Sequence, residues 1–279
     1  MILKVDDGEL YYETQGQGVP CLVPVPGYQG YLTRTLSESL RQRFQLHFLH
    51  MRGNGRSDGF AIETVTLDRV LEDFAALRRH LGLERLGILG HSALGCVALE
   101  LAWRQPDTTA FVISIGAPPR MPGHIEAMAR YWDEHADPER KRIFDENTAE
   151  LDLSLVAPED RFYASYRAAG PRYWYDPRFD CAPLASDMKV SLEAVGHIFG
   201  TMIPELDPTP HFPDVTCPVF LAQGVHDFSV PHDMWKGLPE HFPNATYVAF
   251  ERSGHYPMYE ESDRFDREIF AWMERNGIG

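Results

Sequence analysis

The chain has 279 residues, a length at which an α/β protein often forms one large domain. Its 26 Lys and Arg are outnumbered by 41 Asp and Glu, which gives a formal net charge of −15 at pH 7. This charge disfavours nucleic acids and anionic membranes as partners, because both are also negative. Hydrophobic residues make up 44% and charged residues 24%, so we expect a folded domain with a sizeable core rather than a disordered chain.

No segment predicts a membrane helix or a secretion signal. The longest uncharged run, residues 14–33, is broken by four Gly and three Pro. The first residues show no basic region followed by a long apolar stretch, and they show no small-residue cleavage site. Cys21, Cys96, Cys181 and Cys217 lie far apart and predict neither a disulfide scaffold nor a zinc site. We therefore expect a cytoplasmic protein with reduced thiols.

The chain opens with a predicted β-hairpin and continues with buried strands. Residues 2–5 and 10–14 are short β-prone runs around Asp6-Asp7-Gly8, a turn sequence typical of hairpins. Compact apolar runs follow that suit strands covered on both faces, and they lie at residues 21–23, 44–51, 86–89 and 111–115. Residues 67–81 place apolar side chains at helical spacing, so strand and helix alternate. This alternation predicts right-handed βαβ crossovers and a mostly parallel, doubly wound sheet.

The alternation is interrupted once. From residue 117 to about 213 the chain is rich in Pro, Trp, Tyr and charged helical segments, with no recurring buried strand. It then resumes with strands at 219–222 and 246–250, a helix near 233–238 and a last helix from about 263 to 276. We therefore predict a core formed by residues 1–116 and 214–279, with residues 117–213 inserted as a helical cap.

The most informative window runs from an apolar strand through a Gly/Ser turn into a helix. It contains Gly90-His91-Ser92-Ala93-Leu94-Gly95. A sharp turn of this kind lifts the serine hydroxyl above the sheet edge, while the backbone N–H of the next residue, Ala93, helps to hold an oxyanion. Leu94 stands where the G-x-S-x-G pattern has its second Gly. The alternative interpretation is an ordinary strand-to-helix turn with a capping Ser.

A nucleophilic serine needs an imidazole to take its proton and a carboxylate to orient that imidazole. Asp227 follows the predicted strand at 219–222, and His255 follows the one at 246–250. Groups just past the carboxyl ends of strands in open α/β sheets converge on one crevice. We therefore expect Ser92, Asp227 and His255 to lie together.

The order Ser92, Asp227, His255 resembles that of the α/β-hydrolases. Residues 52–59, Arg-Gly-Asn-Gly-Arg-Ser-Asp-Gly, are similar to the R-G-x-G-x-S loop of proline iminopeptidases and related capped hydrolases. The resemblance covers nearly the whole chain and implies an α/β-hydrolase fold with a helical cap. It also implies a second oxyanion donor after the third strand, where the amide of Tyr28 falls at the donor position.

Two departures weaken assignment to the peptidases within this superfamily. The iminopeptidase pattern H-G-G-P-G is absent, and Pro26 stands where relatives carry the His of His-Gly. Gly90-His91-Ser92-Ala93 also differs from the G-G-S-W typical of that family. An aminopeptidase would further need a carboxylate for the α-ammonium group, for which Glu193 and Glu205 are the candidates. His91 is a further candidate for substrate binding.

Other motifs give no support for a metal or a cofactor. His47 and His50 have H-x-x-H spacing, but residues i and i+3 of a strand point to opposite faces, so we expect core histidines rather than metal ligands. Gly53-Asn54-Gly55 lacks the third Gly of a dinucleotide loop, and the chain has no phosphate-binding P-loop. We predict neither a metal nor a cofactor.

The sequence thus predicts a serine hydrolase that cleaves a small-molecule ester or amide through an acyl-enzyme. A proline iminopeptidase-like enzyme is slightly favoured over a carboxylesterase or lactonase. Two further classes stay open: a lyase or oxygenase-like activity without acylation of Ser92, and a non-catalytic ligand-binding protein. The partner is expected to be a small-molecule substrate.

Overall fold

The fold is built around an eight-stranded sheet. The computed structural model describes residues 1–26, 30–57, 59–186, 188, 190 and 192–279. The strand order across the sheet is β1-β2-β4-β3-β5-β6-β7-β8. The strands are β1 (Ile2–Val5), β2 (Gly8–Gly16), β3 (Val19–Val25), β4 (Phe44–His50), β5 (Leu86–His91), β6 (Thr109–Ile115), β7 (Val219–Gly224) and β8 (Ala245–Phe250).

The sheet is antiparallel at one edge and parallel elsewhere. β1 and β2 form the predicted hairpin, with Val5 opposite Gly8, and β2 pairs antiparallel with β4. From β4 through β3, β5, β6 and β7 to β8 every pairing is parallel. The carboxyl ends of β5, β7 and β8 therefore lie at the same edge of the sheet.

Helices cover both faces of the sheet. The helices of the described residues are α1 (Gly30–Thr35), α2 (Glu38–Arg43), α3 (Leu67–His80), α4 (Ala93–Arg104), α5 (His124–His135), α6 (Pro138–Ala149), α7 (Arg161–Ala168), α8 (Gly170–Tyr173), α9 (Ala182–Ala185), α10 (Leu192–His197), α11 (Pro257–Glu260) and α12 (Ser262–Arg275). The buried faces of α3 and α4 pack into one apolar core, whereas those of α1, α2 and α12 pack into a second. This layering is the predicted doubly wound α/β arrangement.

Helix α3 shows how the predicted pattern becomes structure. The Thr66 side chain accepts a hydrogen bond from the Arg69 N–H and caps the first turn. Val70, Leu71, Phe74 and Leu77 are buried on the predicted apolar face. Burial of that face removes apolar surface from water and holds the helix against the sheet.

Between β6 and β7 the described residues contain helices and turns but no strand, and this region holds α5 to α10. One expected helix differs: residues 233–238 form only a short 3₁₀ turn, His232–Trp235. Gly237 adopts a left-handed φ of 78° and Pro239 follows, so the turn cannot continue as an α-helix. Among the described residues, every helix is too short or too polar to span a bilayer.

Candidate active site

Ser92 occupies a strained turn between β5 and α4. Its φ of 59° and ψ of −140° make it the only non-glycine with a positive φ in the described part of the chain. Its N–H donates to the Ile115 carbonyl over 2.9 Å, and its own carbonyl accepts from the Gly95 N–H over 2.8 Å. Surrounding contacts thus hold a backbone conformation that serine rarely adopts, a kind of strain that clusters at functional sites.

Two glycines make this turn possible. A Cβ on Gly90 would lie 2.3 Å from the Leu94 carbonyl oxygen, and one on Gly95 would lie 2.5 Å from the Ser114 Oγ and from the Ala117 Cβ. Gly95 therefore provides the close helix–sheet approach, one position after the place where G-x-S-x-G has its second Gly. Leu94 instead points its side chain to the neighbouring cavity.

Asp227 follows β7 and is fully buried. Its Oδ2 lies 2.6 Å from His255 Nδ1, and its Oδ1 accepts hydrogen bonds from the N–H groups of Ser229 and Val230 at 2.9 and 2.8 Å. Since a carboxylate only accepts, His255 Nδ1 carries a proton. In the neutral ring Nε2 is then the free acceptor, which is the tautomer that a general base needs.

His255 follows β8 and is held from two sides. Its backbone N–H donates to the Tyr173 carbonyl over 2.6 Å, and its carbonyl lies 3.0 Å from His91 Nε2. His91 Nδ1 lies 3.1 Å from the Tyr31 hydroxyl. The pKa of His91 lies well below its ordinary value, mainly because the ring is buried and secondly because of the nearby His255, so the ring is neutral. His91 borders the cavity, but both its ring nitrogens are engaged within the protein.

Ser92, Ala93 and His255 line one cavity of about 320 Å³. Its other walls are mainly apolar and aromatic: Pro26, Tyr31, Leu94, Pro118, Phe162, Tyr166, Tyr173, Val195, Ile198, Phe199, Val230 and Tyr256. His91, His124 and Ser229 complete the lining that the structure describes, and no Asp, Glu, Lys or Arg contributes to it. The cavity suits an uncharged ligand.

The structure does not bring every predicted site residue to this cavity. Tyr28 lies outside the described residues. Glu193 and Glu205 are exposed, and neither lines the cavity. On α10 it is Val195 that faces the cavity, and Glu205 borders a separate groove beside His211. The structure therefore brings neither candidate glutamate to the described part of the cavity.

Two polar cavity residues were missed by the sequence analysis. His124, at the start of α5, lies with its Nε2 2.8 Å from the Ser229 carbonyl oxygen. The Asp-x-Ser spacing of residues 227–229 is a signal for an Asx turn and could have drawn attention to Ser229. No pattern marked His124, because its position depends on how the chain folds back after β6.

The described residues contain no cluster of side chains suited to a metal ion, that is, no group of three or more His, Cys, Asp or Glu that could hold one. His47 and His50 are both buried, and His47 Nδ1 lies 2.8 Å from the Thr14 hydroxyl.

Comparisons with known proteins point to one family. The family model for the alpha/beta hydrolase fold matches residues 22–262. The AB hydrolase superfamily protein YclE of Bacillus subtilis (strain 168) is 30% identical over 278 residues, which cover 98% of each chain. The putative carbamate hydrolase RutD of Caulobacter sp. (strain K31) is 28% identical over 247 residues, covering 85% of this chain and 83% of the relative.

A solved structure agrees on the fold. The proline iminopeptidase of Mycobacterium smegmatis superimposes with a TM-score of 0.73 at 20% identity, covering 99% of this chain and 98% of the other. At this identity the likeness concerns architecture alone. The family match and the relative at 30% identity confirm the resemblance inferred from the order of Ser92, Asp227 and His255. The chain belongs to the α/β-hydrolase family.

Proposed function

We propose that this protein is a serine hydrolase that cleaves small, uncharged esters through an acyl-enzyme. The observation that carries the proposal is the 2.6 Å contact between Asp227 and His255, beside a cavity that His255 shares with the strained Ser92. Hydrolase activity as such is supported by the family and by relatives named as hydrolases. The identity of the nucleophile and the class of substrate are the parts that we propose.

The proposed chemistry follows from the proton positions. His255 Nε2 takes the proton of the Ser92 hydroxyl as Oγ attacks the substrate carbonyl. The Ala93 N–H, at the start of α4, stabilises the negative charge that develops on the carbonyl oxygen, and the Tyr28 amide is the proposed second donor. His255 then gives the proton to the leaving alcohol, and a water molecule, activated by the same imidazole, releases the acyl group. Asp227 orients the ring and stabilises its positive charge.

The cavity lining favours an ester over the N-terminus of a peptide. An aminopeptidase has to compensate the α-ammonium charge of its substrate, because an unpaired charge in an apolar site is strongly disfavoured. No carboxylate is present among the described lining residues. An uncharged acyl group fits this lining, as does the neutral acyl part of a carbamate. Esters and lactones are therefore our first candidates, and an amide or carbamate of an uncharged acid is the second.

The region between β6 and β7 supplies much of this lining. Pro118, His124, Phe162, Tyr166, Tyr173, Val195, Ile198 and Phe199 all come from residues 117–213. We propose that these residues act as a cap over the site, with the core formed by residues 1–116 and 214–279. In this arrangement the cap selects the substrate, while Ser92, Asp227 and His255 at the strand ends carry out the reaction.

A labelling experiment tests the nucleophile. Wild-type protein, Ser92→Ala and the control Ser39→Ala, which alters an exposed serine of α2, are treated with a fluorophosphonate, and the modified residue is located by mass spectrometry. We expect labelling at Ser92 in the wild type and the control, and none in Ser92→Ala. Ester hydrolysis without labelling of Ser92 would favour a non-acylating mechanism and contradict the proposal.

A substrate panel tests the class of bond. Short and medium acyl p-nitrophenyl esters are compared with lactones, proline arylamides and carbamates. We expect the highest kcat/KM for the esters and none for an arylamide with a free ammonium group. Turnover of proline arylamides above that of esters would instead support the peptidase. Stoichiometric binding without turnover of any compound would support the ligand-binding alternative.

A further inference from the structure

Residues 171–175, called here the strap, are hydrogen-bonded to both loops that carry the Asp227–His255 pair. The Arg172 carbonyl accepts from the N–H of Phe228, the neighbour of Asp227, over 3.0 Å. The next carbonyl of the strap, that of Tyr173, accepts from the His255 N–H over 2.6 Å. Two consecutive carbonyls of one segment thus tie the acid loop to the histidine loop.

Arg140 of α6 holds the strap from the other side. It is only 4% exposed, and it donates to three carbonyls of the strap: Nη1 to Pro171 over 2.6 Å and to Trp174 over 2.8 Å, and Nη2 to Tyr175 over 2.5 Å. Its guanidinium also lies over the Phe228 ring, 5.0 Å from the ring centre. A planar, multidentate donor is needed to reach three carbonyls at once.

The environment of Arg140 is unusual for a structural ion pair. Within the described residues its guanidinium pairs with Asp137, whose carboxylate lies 3.8 Å away and is 60% exposed. Burial lowers the pKa of Arg140. The charges of Asp137, Glu260 and Asp176 partly offset this burial, but the three side-chain hydrogen bonds that Arg140 makes to the described part of the chain all go to strap carbonyls. An arginine at this position is better explained by the strap than by stabilisation of α6.

The strap packs tightly against the histidine loop. A Cβ on Gly254 would lie 2.2 Å from the Tyr173 carbonyl oxygen. Glu260 spans the same contact, since its carboxylate accepts from the Tyr175 N–H over 2.6 Å and from the Gly254 N–H over 2.8 Å. A displacement of the strap would therefore be transmitted to the backbone beside His255 rather than absorbed in a gap.

From these contacts we propose that Arg140 is a positioning residue for the Asp227–His255 pair. By fixing the strap, it sets the relative position of the two loops and so the hydrogen bond between the two side chains. The catalytic consequence rests on the proposed hydrolase function, whereas the geometric consequence does not.

The test compares Arg140→Met, Arg140→Lys and the control Arg142→Met, which alters an exposed arginine of the same helix that pairs with Glu146. For a p-nitrophenyl ester we expect kcat to fall about 10- to 100-fold in Arg140→Met, because a misplacement near 1 Å can cost that much. KM should change less than kcat, because Arg140 itself does not line the cavity and the strap contributes only Tyr173 to it. Arg140→Lys should fall between, and Arg142→Met should match the wild type.

A second readout does not depend on catalysis. The His255 Nδ1 proton in its hydrogen bond to Asp227 is expected to give a far-downfield proton NMR signal, assigned by its absence in His255→Gln. We expect this signal to shift or disappear in folded Arg140→Met and to shift less in Arg140→Lys. If Arg140→Met does not fold, Arg140→Lys alone decides the question.

The outcomes separate the two proposals. An unchanged NMR signal together with wild-type kcat in folded Arg140 variants would overturn the positioning role, even if Ser92 is the nucleophile. A lowered kcat with an unchanged signal would also overturn it, because the loss would then have another cause. If Arg140→Met changes the NMR signal while Ser92→Ala is as active as the wild type, the positioning role is supported and the proposed mechanism is overturned.

Discussion

Asp227 and His255, 28 positions apart in the chain, meet at 2.6 Å, and the other carboxylate oxygen of Asp227 is held by two backbone N–H groups. Asp227→Asn should keep the fold, since an amide oxygen can still accept from those N–H groups. It should favour the wrong histidine tautomer and lower kcat by about 10⁴-fold. Ester kinetics and urea unfolding of Asp227→Asn and of the control Asp233→Asn check this. A kcat near the wild-type value would contradict the orienting role.

The close approach at Gly95 gives a second prediction. Gly95→Ala would place a methyl group 2.5 Å from the Ser114 Oγ and from the Ala117 Cβ, both near the sheet. We expect it to lower the free energy of unfolding by about 1–3 kcal/mol and to reduce activity, because α4 carries the Ser92 turn. Gly196→Ala is the control, since it lies in α10 with open space around it. Thermal melts and ester hydrolysis rates of both variants test this prediction. A Gly95→Ala protein as stable as the wild type would refute the packing argument.

A buried ion pair near the antiparallel edge gives a third prediction. Arg52 is 1% exposed and contacts both carboxylate oxygens of Asp73, at 2.6 and 2.7 Å, while Asp7 contacts it at 3.0 Å from a side chain that is 35% exposed. Asp73→Asn leaves a buried cation without its main partner and should cost about 3–5 kcal/mol. Asp7→Asn should cost less than about 1 kcal/mol, because its charge is screened by water. Urea denaturation measures both, and similar losses would contradict this ranking.

Stability at acidic pH depends on buried histidines. Burial lowers the pKa of His47 to about 4 and that of His50 to about 4, whereas in the unfolded chain a histidine titrates near about 6.5. Between these values the unfolded state binds more protons, so stability falls as the pH falls. Each such histidine lowers the free energy of unfolding by up to about 1.4 kcal/mol per pH unit in this window.

The free energy of unfolding is measured by urea denaturation at several pH values between about 4.5 and 7.5, a range that includes the ordinary histidine pKa of about 6.5. We expect His47→Gln to flatten the decline of stability towards low pH. The exposed His241→Gln should leave the slope unchanged. A slope in His47→Gln as steep as in the wild type would show that the decline has another origin.

Prediction from sequence succeeded where local pattern and chain order carry the information. The turn at Ser92 was recognisable because small residues separate a strand from a helix, and Asp227 and His255 because each follows an apolar strand. Parallel pairing then brings those strand ends to one edge. Glu193 and Glu205 show the opposite case: their residue type fitted a role, but whether a cap side chain faces the cavity depends on helix rotation and packing.

The role proposed for Arg140 likewise depends on packing rather than on local sequence, since nothing in its local sequence distinguishes it from the exposed Arg142. The amino-acid sequence by itself determined the α/β class, the hairpin, the family and the order of the three candidate catalytic residues, because these follow from periodicity, turn chemistry and strand order. Only the tertiary structure decided which side chains line the cavity, that no carboxylate is among the described ones, and that one strap joins both loops. These features arise from contacts between segments far apart in the chain, which no local pattern encodes.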